Sequence, residues 1–135
     1  MFRPMLLVLA VLVAAPAAAQ TVVPIEDTLH RVIAAGQEAV IRNYGSWNSS
    51  TCAPNPPPQV VLHSQPQHGT VTIRPGMSTI RLVREGKSKA CLGVTIPGTV
   101  VAYTPSPTFR GTDGFDYTIT SVNGVYHDTV VLDVR

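Results

Sequence analysis

The sequence predicts an all-β protein, a small antiparallel β-sandwich of seven or eight strands, and three observations carry that reading. Apolar and polar residues alternate toward the C-terminus as half-buried strands require: Phe115, Tyr117 and Ile119 oppose Asp116, Thr118 and Thr120, while Val130, Leu132 and Val134 share one face. Gly and Pro punctuate short apolar segments throughout, which leaves little room for helices. Asn123-Gly124 lies between two such segments and reads as a two-residue hairpin with the type I′ turn that twisted strands prefer.

The first nineteen residues stand apart from the fold. Arg3 supplies a positive start, Met5 to Ala15 is an apolar run, and Pro16-Ala17-Ala18-Ala19 closes it with small residues. This is the pattern of a secretory signal peptide, cleaved after Ala19. The apolar run is too short for a bilayer core of about 30 Å. No Cys stands at the cleavage site to carry a lipid, and nothing later is apolar enough to cross a membrane. A periplasmic or secreted chain, residues 20–135, is expected, and its 116 residues suit one domain. Removing Arg3 leaves nine basic residues against eight acidic ones, a balance that argues against a nucleic-acid partner.

Cys52 and Cys91 are the two cysteines of the chain. In an oxidising compartment an isolated pair reads as one disulfide. Closing a loop of about 40 residues stabilises by roughly 4 kcal/mol in the chain-entropy account.

Along the chain, Thr28 to Ala35 fits either period: Ile25, Leu29, Val32 and Ile33 fall at helical spacing, whereas Leu29, Arg31 and Ile33 share a strand face. A lone two-turn helix would be marginal, so a hairpin centred on Gly36, returning through Glu38 to Asn43, is favoured. Tyr44 to Pro58 is a loop whose Pro56-Pro57-Pro58 run favours an extended path. Strands are expected at Gln59 to His63, Gly69 to Arg74, Thr79 to Arg84, Val94 to Ile96 and Thr99 to Thr104. Pro75-Gly76 and Pro97-Gly98 read as turns between them, and Ser106 to Asp113 as a loop.

Pro66-Gln67-His68-Gly69-Thr70-Val71, Tyr103-Thr104-Pro105, Phe109-Arg110-Gly111-Thr112-Asp113 and Phe115-Asp116-Tyr117-Thr118 occur in that order. Together they resemble the bacterial cadherin-like, or immunoglobulin-like, module of cell-surface and adhesin proteins, over Pro66 to Arg135. The resemblance implies an immunoglobulin-like sandwich, here as a single-domain secreted variant stapled by Cys52–Cys91. Asp113 precedes Tyr117 by four positions, a spacing similar to that of a tyrosine corner, which would bury the Tyr117 ring and tie its hydroxyl to nearby backbone.

Residues that could carry chemistry are dispersed. Related modules often bind calcium, but Asp113, Asp116, Asp128 and Asp133 form no Asp-x-Asp-x-Asp run. His30, His63, His68 and His127 form no His-x-His pair, so no metal or other cofactor is expected. Catalytic signatures such as Gly-x-Ser-x-Gly and His-Glu-x-x-His are absent, and no enzyme activity is expected. Trp47 is expected to pack the loop against the disulfide. The strongest surface signal is basic: Arg74, Arg81, Arg84, Lys87 and Lys89 fall within sixteen positions opposed only by Glu85. On a hairpin they would form a positive rim for an anionic glycan or lipid. The leading expectation is a non-catalytic module that recognises another protein at the cell envelope, with polyanion binding through residues 74–89 as the alternative.

Overall fold

The computed structural model describes residues 17–83 and 89–135. Seven strands form two layers: β1 (Ile25–Ile33), β2 (Ala39–Tyr44), β3 (Gln59–Ser64), β4 (Gly69–Thr79), β5 (Thr95–Pro105), β6 (Gly111–Ser121) and β7 (Gly124–Val134). One sheet has the order β1-β7-β6-β3 and the other β2-β5-β4. Four strands face three, the count of the seven-strand immunoglobulin layout. The expected all-β sandwich is therefore the fold, with one disulfide joining Cys52 to Cys91.

The alternating segments supply the interior. Leu29 and Ile33 of β1, Phe115, Tyr117 and Ile119 of β6, and Val130, Leu132 and Val134 of β7 pack against Ile41, Val101 and Tyr103 of the other sheet. Ile80, Cys91 and Ile96 form a second, smaller cluster, onto which Trp47 and Cys52 pack. Trp47 thus covers the disulfide, as expected.

The first segment is strand, yet it makes no hairpin. β1 runs parallel to β7, from Ile25 opposite Tyr126 to Ile33 opposite Val134. β2 pairs with β5 in the opposite sheet. Gly36, at φ 73°, turns the chain between layers. The correction has a physical reason: in a sandwich, sequence neighbours can bury their apolar faces against each other across the core instead of sharing a ladder.

Both Pro-Gly pairs also lie inside strands. Gly76 faces Gly98, flanked by Pro75 opposite Thr99 and Met77 opposite Pro97, so β4 and β5 form one long uninterrupted ladder. β4 is an edge strand, where a residue lacking an N–H is tolerated. Pro97 lies past the end of the β2 pairing, which stops at Thr99. Gly98 serves close approach: a Cβ there would sit 2.2 Å from the Tyr44 carbonyl oxygen. Gly98→Ala is therefore expected to cost about 1–3 kcal/mol by overpacking, read as a lower urea midpoint, and an unchanged midpoint would refute the contact. The strand expected at Thr79 to Arg84 ends at Thr79, and Val94 to Ile96 belongs to β5 for Thr95 and Ile96. Gly111 to Asp113 begins β6 instead of ending a loop.

The last hairpin forms, shifted by one residue. Ser121 pairs with Gly124, so Val122-Asn123 make the tip, and Gly124 enters the strand at φ 138°. A type I′ turn needs positive φ at both tip residues, and neither has it.

Candidate functional site

A β-bulge builds the site. The register of β2 on β5 slips between Val40 and Arg42. The extra residue, Ile41, is buried, and beyond it Arg42 and Tyr44 also reach the space between the sheets. Bulges re-aim side chains in this way. The parallel pairing of β1 with β7 sets Asp27 directly beside Asp128. The two features converge on one network linking opposite sheets.

Arg42 Nη1 lies 3.0 Å from Asp27 Oδ2 and 3.3 Å from Asp128 Oδ2. Tyr44 donates its hydroxyl to the same Asp128 oxygen and stands 2.6 Å from the Tyr117 hydroxyl. The Arg42 guanidinium also lies 5.6 Å from the Tyr44 ring centroid, a cation–π geometry. Asp128 is buried, whereas Asp27 and Arg42 keep contact with solvent.

The electrostatics follow from burial and pairing. The Arg42 bond holds the exposed Asp27 carboxyl below its ordinary range. Partial burial alone would lower the Arg42 pKa, but the bond it donates to Asp27, with the charges nearby, raises it. Burial, then neighbouring Tyr117 and Asp128, push the Tyr44 hydroxyl far up. Tyr117 is pushed up to about 12, with burial the main cause. At neutral pH the site therefore presents a guanidinium and two neutral phenols.

This network forms one wall of a cleft of about 1100 Å³, whose other walls come from the loop after β2, Leu82 and Val83 after β4, and the β6–β7 hairpin. Glu26, Asp27 and Asp128 line it against Arg42, a net charge of −2 among the lining residues. Tyr44, Trp47 and Tyr126 add aromatic surface, and Asn48, Asn55 and Asn123 add amides. The buried Ser46 hydroxyl oxygen accepts bonds of 3.0 Å from both Asn55 and Asn123, tying the loop to the hairpin. Asn48 shapes the loop by accepting the Ser50 and Thr51 N–H groups.

Most residues singled out from sequence lie elsewhere. Asp113 is buried and accepts from the Tyr103 hydroxyl at 2.6 Å and from the Gln67, His68 and Gly114 N–H groups. The corner pairing is corrected on this point. Tyr117 is buried as expected, but its hydroxyl meets the side chains of Tyr44 and Asp128 and not nearby backbone, while Tyr103 of the facing sheet bonds Asp113. Burial raises the Asp113 pKa, and the bonds from Tyr103 and three amides outweigh it to leave the carboxyl below its usual range.

The outer face of the larger sheet carries His63, Asp116 and His127. His127 Nε2 lies 3.0 Å from one Asp116 oxygen, and the Ser64 hydroxyl donates to the other. Ser64 and His127 both end on the Asp116 carboxylate, so the Ser64 hydroxyl faces that carboxylate and not the imidazole. The Ser64 bond, ahead of His127 and against partial burial, lowers the Asp116 pKa. Asp133 pairs with Arg135, and the His68 ring stacks on Phe109 at 4.0 Å. Among the described residues no group of three or more His, Cys, Asp or Glu is placed to hold a metal ion.

The basic run is divided. Arg74 is engaged by Glu38 through two nitrogens, at 2.6 and 3.2 Å. Because β4 continues straight to Thr79, Arg74 lies about 16 Å from that strand end at roughly 3.3 Å per residue. Arg81 and Lys89 are exposed; Arg84 and Lys87 lie outside the described residues. The hairpin premise of a shared rim therefore fails for Arg74.

Sequence reasoning missed Asp27, Arg42, Tyr44 and Asp128 as a group. Comparison with protein-family models, curated proteins and solved structures finds no match for this chain.

Proposed function

We propose that this protein is a non-catalytic recognition module of the bacterial cadherin-like, immunoglobulin-like kind, exported to the periplasm or beyond, which holds a partner protein at the cell envelope through the cleft. The cleft's composition carries the reading. Carboxylates outnumber the one guanidinium, and aromatic rings and amides stand beside them. That combination suits a Lys or Arg side chain on a partner's loop, which gains charge-assisted hydrogen bonds and cation–π contact. The Cys52–Cys91 link supports export, since disulfides persist in oxidising compartments. The leader, Met1 to Ala19, falls largely outside the described residues and enters as part of this proposal. Among the described residues no helix is long and apolar enough to cross a membrane.

The test is titration of the labelled protein by nuclear magnetic resonance with a lysine-rich peptide, an anionic oligosaccharide and anionic lipid vesicles. Peptide binding should shift the Tyr126 and Asn123 signals and weaken at least tenfold in Glu26→Lys, a loss of about 1.4 kcal/mol. Binding of the glycan or vesicles instead, abolished by Arg81→Glu with Lys89→Glu, would replace this reading with polyanion recognition.

A further inference from the structure

The two sheets have four edges, and three carry devices that discourage pairing with another strand. Edge β2 is interrupted by the bulge at Ile41. Edge β3 follows Pro56-Pro57-Pro58, and its register shifts at His63, between Leu62 and Ser64. Edge β4 contains Pro75. Edge β1 has neither bulge nor proline, and nine consecutive residues pair with β7 without a register shift; the only deterrents it carries are the charges of Glu26, Asp27 and Arg31. Among the described residues, the other flank of β1 has no neighbouring strand. Its backbone groups there form a pairing template, and Ile25 and Val32 on the strand are 59 % and 64 % exposed.

The side chains of β1 state what fits. Ile25, Asp27, Leu29, Arg31 and Ile33 alternate along the core-facing side. Turn a second copy of this strand antiparallel about Leu29, and Ile25 meets Ile33, Asp27 meets Arg31, and Leu29 meets itself. On the outer side Thr28 meets His30 and Glu26 meets Val32. Both charge pairs are of opposite sign, and both apolar ends meet apolar ends. A slip of one residue would bring core-facing positions of one copy beside outward positions of the other. Arg31 is available, since its guanidinium bonds only the neighbouring His30 carbonyl and makes no salt bridge among the described residues. Asp27 is 53 % exposed and has room for a second cationic partner beside Arg42.

We propose that the unbroken β1 edge pairs antiparallel with β1 of a second copy of this chain, centred on Leu29, where the charges that would repel other strands meet their opposites, to join two four-stranded sheets into one of eight. The two-fold arrangement makes the interface self-complementary, as closed dimers require. Arg31 does not line the cleft, so Arg31→Glu reads this pairing apart from the cleft's ligand, whereas Ile25 and Asp27 belong to both.

Sedimentation equilibrium of the purified, disulfide-bonded chain tests it. A reversible dimer is expected, with slowed amide exchange in β1 at concentrations that favour it. Arg31→Glu and Asp27→Arg should each raise the dimer dissociation constant at least tenfold, with unchanged far-ultraviolet spectra. Mixed in equal amounts, the two variants should recover a 1:1 dimer, because every facing pair then carries opposite charges. A wild-type monomer at all concentrations, a dimer indifferent to Arg31→Glu, or variants that stay apart on mixing while folded would each overturn the proposal.

Discussion

Replacing Cys52 and Cys91 together by alanine is expected to lower the unfolding free energy by about 4 kcal/mol, because the covalent link closes a loop across 39 positions of sequence. Small domains are stable by only about 5–15 kcal/mol, so this is a large share. The location sharpens the expectation. Both cysteines belong to the minor cluster, with Ile80 and Ile96, and not to the main interior. Around Cys91 the Ile80 N–H donates to the Val94 carbonyl at 2.9 Å, and the Gly93 N–H donates to the Ile80 carbonyl at 2.8 Å. Trp47, the sole tryptophan, packs on this cluster and reports on it by fluorescence. Urea unfolding of the double variant should show the Trp47 signal leaving at lower denaturant than the loss of β-structure. Coincident curves at the wild-type midpoint would show that the link contributes nothing. Thiol titration of the denatured, unreduced chain should find no free thiol.

The second large effect is expected at Asp113. Asp113→Ala leaves the Tyr103 hydroxyl and the Gln67, His68 and Gly114 amides without their acceptor. Stranding buried donors of a charge-assisted network costs about 3 kcal/mol. The same carboxylate gives the fold an acid-sensitive component. Its folded pKa is lowered, so its contribution is complete above the unfolded value of about 3.9 and is lost as pH falls through the folded pKa. Stability therefore rises with pH across that window, where the unfolded chain binds more protons. Asp113→Asn should flatten this part of the acid limb while lowering stability at neutral pH. Equal slopes for wild type and Asp113→Asn in urea titrations from neutral to acid pH would refute the assignment.

Both effects mark the boundary between what local sequence encodes and what pairing decides. β6 and β7 were legible because a side-chain period of two is a local property, visible in Phe115, Tyr117 and Ile119 without knowledge of partners. The disulfide was legible because only two cysteines exist. Pro-Gly misled, since the dipeptide that favours a turn also suits two crowded strands, and only the Gly76–Gly98 register tells them apart. The cleft was hidden for a stronger reason. Simple alternation after Ile41 would send Arg42 outward, and the bulge that turns it inward leaves no trace in composition. Asp27 and Asp128 stand a hundred positions apart, and their contact follows from a parallel pairing that no short-range pattern announces. The Asp113–Tyr117 spacing suggested a corner with the Tyr117 hydroxyl on backbone, yet that hydroxyl meets Tyr44 of the facing sheet and Asp128.

The parallel run of β1 beside β7 also fixes how the molecule would answer a pull. The chain enters β1 at Ile25 and leaves β7 at Val134, at opposite ends of a ladder nine pairs long. Tension between the termini would slide these two strands past each other, so their hydrogen bonds must yield together and not one by one as in an unzipping hairpin. The fold is thus wired to resist stretching along its own axis.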